Sequence, residues 1–254
     1  MKKQSILLAI LFFSINILNS MDSQNRKNLI INECNEVEIT DPFDEIEIKG
    51  NTHLRVIHSN HVSDITLHIE GMRRPKEFYC AMEGKKLVLD FSCNAIMLVP
   101  TETLSLKKLS LSAKNILMHI FSPVTLIGDL TIEIENSITD VRLESLRTNN
   151  LNVSIQDTAG NLSLAGQTKT QTIKINSIKR HCGYIAKKLK SDYCDINIIG
   201  NNFASICVKN KLSKTIPGDN NLSVCSYCDP PTPEEIKQVL ADDYLIYIQE
   251  EAEG

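Results

Sequence analysis

Tryptophan is absent from these 254 residues, aromatic residues make up 5%, and glycine and proline number only 10 and 8. Aliphatic residues must therefore build the interior, and an apolar fraction of 42% is enough for a sizeable core and excludes a disordered chain. A basic surplus is missing as well. With 27 Lys and Arg against 31 Asp and Glu the net charge is −4, so no global cationic charge exists to neutralise a phosphate backbone, and nucleic acid is not an expected partner. Glycine-rich phosphate loops are lacking, as is any GxSxG nucleophile motif. Past the first 20 residues there is no long apolar run, so the remainder of the chain offers no membrane-spanning helix.

What is present is Ile, Leu and Val mixed with Ser, Thr and Asn, a composition suited to the half-buried surface of a sheet. The N-terminus is different in kind. In MKKQSILLAILFFSINILNS two lysines precede an apolar stretch from Ile6 to Leu18, followed by small and polar residues, which is the pattern of a secretory signal. The stretch is shorter than the roughly 20 residues of a membrane span. Residues 1–20 are therefore read as a signal peptide, and the exported chain is expected to carry no transmembrane anchor. All eight cysteines lie beyond it, an even number that an oxidising compartment can pair. Cys225 and Cys228 form the only close pair and are the candidate disulfide; without a second Cys or His pair nearby, this CxxC carries little zinc signal.

From Val37 to Phe91 short alternating runs (VEI, FDEIEI, HLRVIH, ITLHI, LVLDF) are separated by turn residues and read as strands. A slower rhythm begins near Leu104. Segments starting at Leu109, Leu130, Leu151, Ile173 and Cys194 lie 21 or 22 residues apart and align in columns: Leu111, Ile132, Val153, Ile175 and Ile196 two positions on, then Ile120, Val141, Leu162, Tyr184 and Ser205 in a second strand. Residues two apart on a strand face the same way. If each unit is one coil of a solenoid, its inward residues stack on their equivalents about 4.8 Å away, and a continuous core exists only once several coils have stacked. The predicted fold is all-β, a right-handed parallel β-helix of about 21-residue coils, the handedness following from the preference of parallel crossovers. An antiparallel sandwich with evenly spaced strands is the alternative.

The tail PTPEEIKQVLADDYLIYIQEEAEG reads as a short amphipathic helix with an acidic end over 232–254. Thr232 and Glu235 form a capping box, Pro233 suits the first turn, and Ile236, Val239, Leu240, Tyr244 and Tyr247 recur at helical spacing.

Taken together, FDEIEIKGNTHLRVIHSN, EGKKLVLDF, the coil series and the closing SICVKNKLSKTIPGDNNLSVCSYCDPP resemble the head GIN domain of the putative auto-transporter adhesin family. Phe43, Ile46, Gly50 and Val56-Ile57 match its opening Phe-x-x-Ile strand, glycine and Val-x-Ile strand, and Val224 through Pro230 resemble its closing strand. The family's Ser-Gly-Ser-Gly turns are replaced here by ENS, DTAGN and IGNN. The resemblance spans 37–231 and implies a β-helix in an exported bacterial protein, with no established activity.

A β-helix enzyme would gather carboxylates or basic groups on one outer face across adjacent coils. The outward columns hold Ser110, Thr131, Asn152, Lys174 and Asp195, then Ser112, Glu133, Ser154, Asn176 and Asn197. Glu133 falls between serines, Lys174 and Asp195 adjoin as a surface pair, and Glu135 shares the face of Glu133. His58, His61 and His68 lie close in sequence but lack a carboxylate or Cys at a metal-ligand spacing and read as surface histidines, with His119 and His181 unpartnered. No catalytic, cofactor-binding or metal-binding residue is assigned. The sequence therefore predicts a non-catalytic, exported adhesion or interaction module of the cell envelope, in the periplasm, on the outer surface or outside the cell. Its expected partner is a protein or glycan at the cell surface, with self-association through exposed strand edges as a further property. A carbohydrate-active lyase or hydrolase on the same scaffold is the alternative.

Overall fold

Alternating aliphatic and polar residues form strands wherever the computed structural model describes the chain, which is over residues 26–31, 35–70, 78–112, 115–120, 124–216 and 221–226. The N-terminal part holds Arg26–Asn28 (β1), Glu36–Ile39 (β2), Glu45–Ile48 (β3), His53–His58 (β4), Ile65–Glu70 (β5), Phe78–Glu83 (β6), Lys86–Phe91 (β7), Asn94–Val99 (β8) and Thr103–Leu104 (β9). Then come Lys108–Leu111 (β10), Asn115–Ile120 (β11), Thr125–Ile127 (β12), Leu130–Glu135 (β13), Ile138–Gln156 (β14), Ala159–Asn176 (β15), Cys182–Ile199 (β16), Phe203–Thr215 (β17) and Asn221–Ser226 (β18).

The strands wind into a three-faced β-solenoid of about 5 turns. The first face stacks β7, β3, β10, β13 and the later parts of β14, β15, β16 and β17, all parallel. On the second lie β8, β4, β11, the opening parts of β14 through β17, and β18, again parallel. The third is formed by β9, β12 and the middle of the long strands, which bend there through register shifts at Leu143/Leu146 and Ser163/Ala165. Coil-to-coil pairing in one direction excludes the sandwich.

Winding order departs from simple succession. The coil made by β3 and β4 lies between the β7–β8 coil and the β10–β11 coil, so the second winding in sequence stacks outside the first. The chain returns through β5 and β6, which run antiparallel beside β8 and β7, and β2 and β1 pair antiparallel beyond them. These antiparallel strands cover what would otherwise be an open parallel edge at the N-terminal end.

The interior is the predicted set of columns, with two-residue corrections. Leu109 pairs with Ile132 rather than Leu130, and Ile173 with Val153 rather than Leu151. Leu130, Leu151, Gln171 and Cys194 form the neighbouring column. A slip of two residues keeps every side chain on its side of the sheet, so these residues are buried as expected. In the last coil the slip is odd: Ala204, not Ser205, pairs with Tyr184. Inside the stack the Gln171 Oε1 accepts a hydrogen bond from the buried Tyr184 hydroxyl at 2.7 Å, while its Nε2 is buried without a partner.

At the corner between the first and second faces a second, polar column runs inside the stack: Thr52, Ser137, Thr158, Ser177 and Asn202, all buried. Asn136 and Asp157 precede two of them at positive φ, as short polar side chains allow. The Ser177 hydroxyl accepts the Thr158 N–H at 3.1 Å and donates to the Thr158 carbonyl at 2.8 Å. Asn202 donates to the Ser177 and Ile199 carbonyls and accepts the Cys182 N–H at 2.9 Å. Thr52 donates to the Phe91 carbonyl of the adjacent coil at 2.8 Å. Backbone groups turned out of the ladder are thereby satisfied. The coils pass so closely at this corner that a Cβ on Gly50 would stand 2.1 Å from the Phe91 carbonyl oxygen.

The expected fold class requires one correction. Among the described residues there is no helix, and the C-terminal helix with its acidic tail, read over 232–254, lies outside the described residues, as does the signal segment 1–20. A stripe at helical spacing states only what a helix would bury; a short helix needs a packing surface to form, and no local pattern supplies one.

Ser177→Ala leaves the buried Thr158 N–H without its acceptor and is expected to cost about 1–3 kcal/mol in urea unfolding. Ser154→Ala on the exposed first face should change stability by no more than about 0.5 kcal/mol.

Candidate functional site

With the interior closed by aliphatic columns, chemistry can reside only on the outer rows, and the three faces differ. On the first face the N-terminal coils carry a ladder of opposite charges. Lys86 bridges Glu47 at 2.9 Å and Glu83 at 3.1 Å, Lys49 approaches Glu47 at 3.3 Å, and Lys108 meets Glu133 at 2.7 Å. Partial burial of Glu47 opposes ionisation, but hydrogen bonds and charge from Lys86 and Lys49 outweigh it and hold its carboxyl below the ordinary value. Glu133 lies between Ser110, not the expected Ser112, and Ser154, and its ionic partner is Lys108, two residues along the neighbouring strand from Ser110, a contact that column reading missed. Lys174 sits between Ser154 and Asn197, and Asp195 beside Thr172, so the register does not set those two opposite each other.

The second face carries further pairs of opposite charge. Arg55 pairs with Glu70, the His119 ring lies 2.9 Å from a Glu144 carboxylate oxygen, and Arg142 is 3.1 Å from Asp140. His119 and His181 are thus both partnered, His181 by the Asn201 carbonyl at 2.9 Å. The three clustered histidines have separate environments. His68 lies 3.7 Å from Glu36, His61 donates its N–H to Ser59, and the buried Nδ1 of His58 has no hydrogen-bond partner. Among the described residues no three His, Cys, Asp or Glu side chains come together as a metal site.

The third face holds the feature that sequence reading overlooked. A groove of 530 Å³ crosses the coils of β14, β15 and β16, lined by Arg147, Lys169, Lys190 and Asp192 together with Asn149 and Gln167. Beside it, at the bend from the second face, a second groove of 440 Å³ is lined by Arg142, Glu144, Lys187 and Lys188. The signal was present as cations one coil apart, at Arg147, Lys169, Lys190 and Lys211.

Cys80, Cys93, Cys182 and Cys194 are free thiols, and Cys207 is buried. Cys228 and the side chain of Cys225, and with them the candidate disulfide, lie outside the described residues. No helix among the described residues is long and apolar enough to cross a membrane.

The sequence profile described as putative auto-transporter adhesin, head GIN domain matches residues 42–230. The chain belongs to this family. Within the head GIN domain the residues that match its opening strands sit in the sandwiched first coil, with Ile46 and Val56 fully inside and Gly50 at the tight corner. A solved putative adhesin from Bacteroides fragilis is similar at 16% identity and TM-score 0.50, covering 75% of this chain and 92% of that one, which supports the fold alone. Further similar structures are a putative adhesin from Parabacteroides merdae (13%, TM-score 0.40, 79% and 96% covered) and a putative lipid binding protein from Parabacteroides distasonis (12%, TM-score 0.36, 79% and 96%). No curated protein matches.

Burial pushes the Cys80, Cys182 and Cys194 thiols up to about 12, with the Asp195 charge adding to the effect at Cys194. A raised folded-state pKa means stability that is intact below the ordinary thiol pKa and is lost as pH climbs toward the folded value, because only the unfolded chain releases those protons. Between about pH 9 and pH 12 each thiol should therefore cost on the order of 1 kcal/mol per pH unit. A Cys80→Ala/Cys182→Ala/Cys194→Ala variant, which starts lower at pH 7 because three buried side chains are truncated, should show a shallower decline of urea midpoint than the parent between pH 9 and pH 12, so that the gap between them narrows.

Proposed function

We propose that the protein is a non-catalytic adhesion module exported to the cell envelope, where its rigid solenoid presents regular rows of polar side chains to a protein or glycan partner. Membership of an adhesin-named family supports this reading, and one observation carries it: along the first face the row Thr131, Asn152, Thr172 and the row Ser154, Lys174, Asn197 repeat hydrogen-bonding groups at every coil. Parallel pairing fixes their spacing near 4.8 Å, so many weak contacts are made by groups that lose little freedom on binding. Secretion rests on the signal pattern of residues 1–20 and on the company the family keeps. A lyase or hydrolase would instead need an acid and a base facing each other across coils, and the cross-coil partner of Glu133 is the Lys108 ammonium.

Cell fractionation with protease treatment of intact cells should place the protein in the envelope or medium; recovery in the cytosol would sink the exported role. On a panel of polysaccharides the purified chain should release neither reducing ends nor unsaturated products. Turnover that disappears in a Glu133→Gln/Glu135→Gln variant would establish the enzyme instead.

A further inference from the structure

We infer that the basic third face is a second ligand-binding face of the module, beside the polar rows of the first, and that its ligand is an anionic polysaccharide, a polymer of uronate or sulfated sugars. This rests on the adhesion reading and names its partner. On a chain whose net charge is −4, the exposed residues Arg147, Lys169, Lys188 and Lys190 gather in and beside the third-face groove. Exposed Lys187, Lys209 and Lys211 extend the same surface over the following strands, against the carboxylates Glu144 and Asp192. Clustered positive charge of this kind raises the local concentration of an anionic partner and steers its approach.

The lining decides among polyanions. Asn149, Gln167 and Thr148 alternate with the cations in the groove, offering amide and hydroxyl groups to the hydroxyls of a sugar while the ammonium and guanidinium groups take its carboxylates or sulfates. Exposed Tyr193, whose strand position pairs with Thr170 and Lys211, supplies a flat apolar surface for the C–H face of a pyranose. The coil repeat of about 4.8 Å is close to the length of one pyranose unit, so a chain lying along the stack meets a cation-bearing coil at each sugar. Single-stranded nucleic acid would call for several aromatic platforms on which successive bases stack, whereas Tyr193 is the only aromatic residue on this face among the described residues. A membrane surface would favour a protruding face with several apolar side chains entering the acyl boundary, whereas this one is a groove in which Ile127 is the one large apolar side chain among the lining residues.

The test is binding of the full exported chain to polygalacturonate and heparin, with dextran as the neutral control and anionic phosphatidylglycerol vesicles and oligo(dT) as competing polyanions. Polygalacturonate or heparin should bind with an affinity that falls as salt is raised, and dextran should not bind. An Arg147→Gln/Lys169→Gln/Lys190→Gln variant, altered only at exposed positions, should keep the parent's urea midpoint and lose about tenfold or more in affinity. A Lys49→Gln/Lys108→Gln variant in the charge ladder of the first face should bind like the parent. Equal binding by both variants, or binding only to the vesicles or to oligo(dT), would overturn the inference. Attachment to other glycans or to a protein, indifferent to the third-face changes, would overturn it while leaving the adhesion reading standing; failure to bind any glycan, protein or cell surface would remove both.

Discussion

The solenoid depends on the corner where each coil turns from its first face to its second. A parallel ladder satisfies backbone groups along the faces, but at a sharp turn the N–H and C=O groups leave the ladder while remaining buried, a situation that costs as much as a lost hydrogen bond for each orphan. Ser137, Thr158, Ser177 and Asn202 place a hydroxyl or amide inside the turn, and each links its coil to a neighbour. Because the same geometry recurs in successive coils from Ser137 to Asn202, these coils superpose and their aliphatic residues meet like with like. A misplaced corner would shift the register of everything after it.

From that constraint the division of labour follows. Inward positions are committed to columns of Leu, Ile and Val, closed tightly enough that even Gln171 and Tyr184 are admitted only as a hydrogen-bonded pair. Outward positions are released from packing and can differ by face: paired charges on the first near its N-terminal end and on the second, and an excess of cations over carboxylates on the third. A rigid scaffold with independently variable faces is a means of presenting side chains at fixed intervals, which suits recognition of a repetitive partner.

Both ends of such a stack expose strand edges, and the N-terminal end is handled by topology. The antiparallel returns β5 and β6, with β2 and β1 outside them, close the ladder in a direction that another parallel coil cannot extend. This arrangement also explains why the first third of the chain shows alternation without the coil period: its windings are interrupted by hairpin strands and stacked out of chain order.

Alternation and the coil-length repeat were legible because a strand's two-residue period and the stacking of like on like act on local sequence; Ile132, Val153 and Ile155 announce their burial by spacing alone. Family likeness was legible too, in Phe43, Ile46 and Gly50. The true register was not, since slips of two residues leave the same pattern of inside and outside, and only pairing shows that Leu109 lies against Ile132. Nor were the polar corner and the third-face groove. Ser, Thr and Asn in turns look alike whether they point inward or outward, and the cations of the third face come together only when three bends per coil bring Arg147, Lys169 and Lys190 onto one side. The sequence by itself determined which residues are inside, because burial follows periodicity. Tertiary structure decided which of the outside residues are neighbours, because that depends on coil length and bend position, quantities set by long-range pairing.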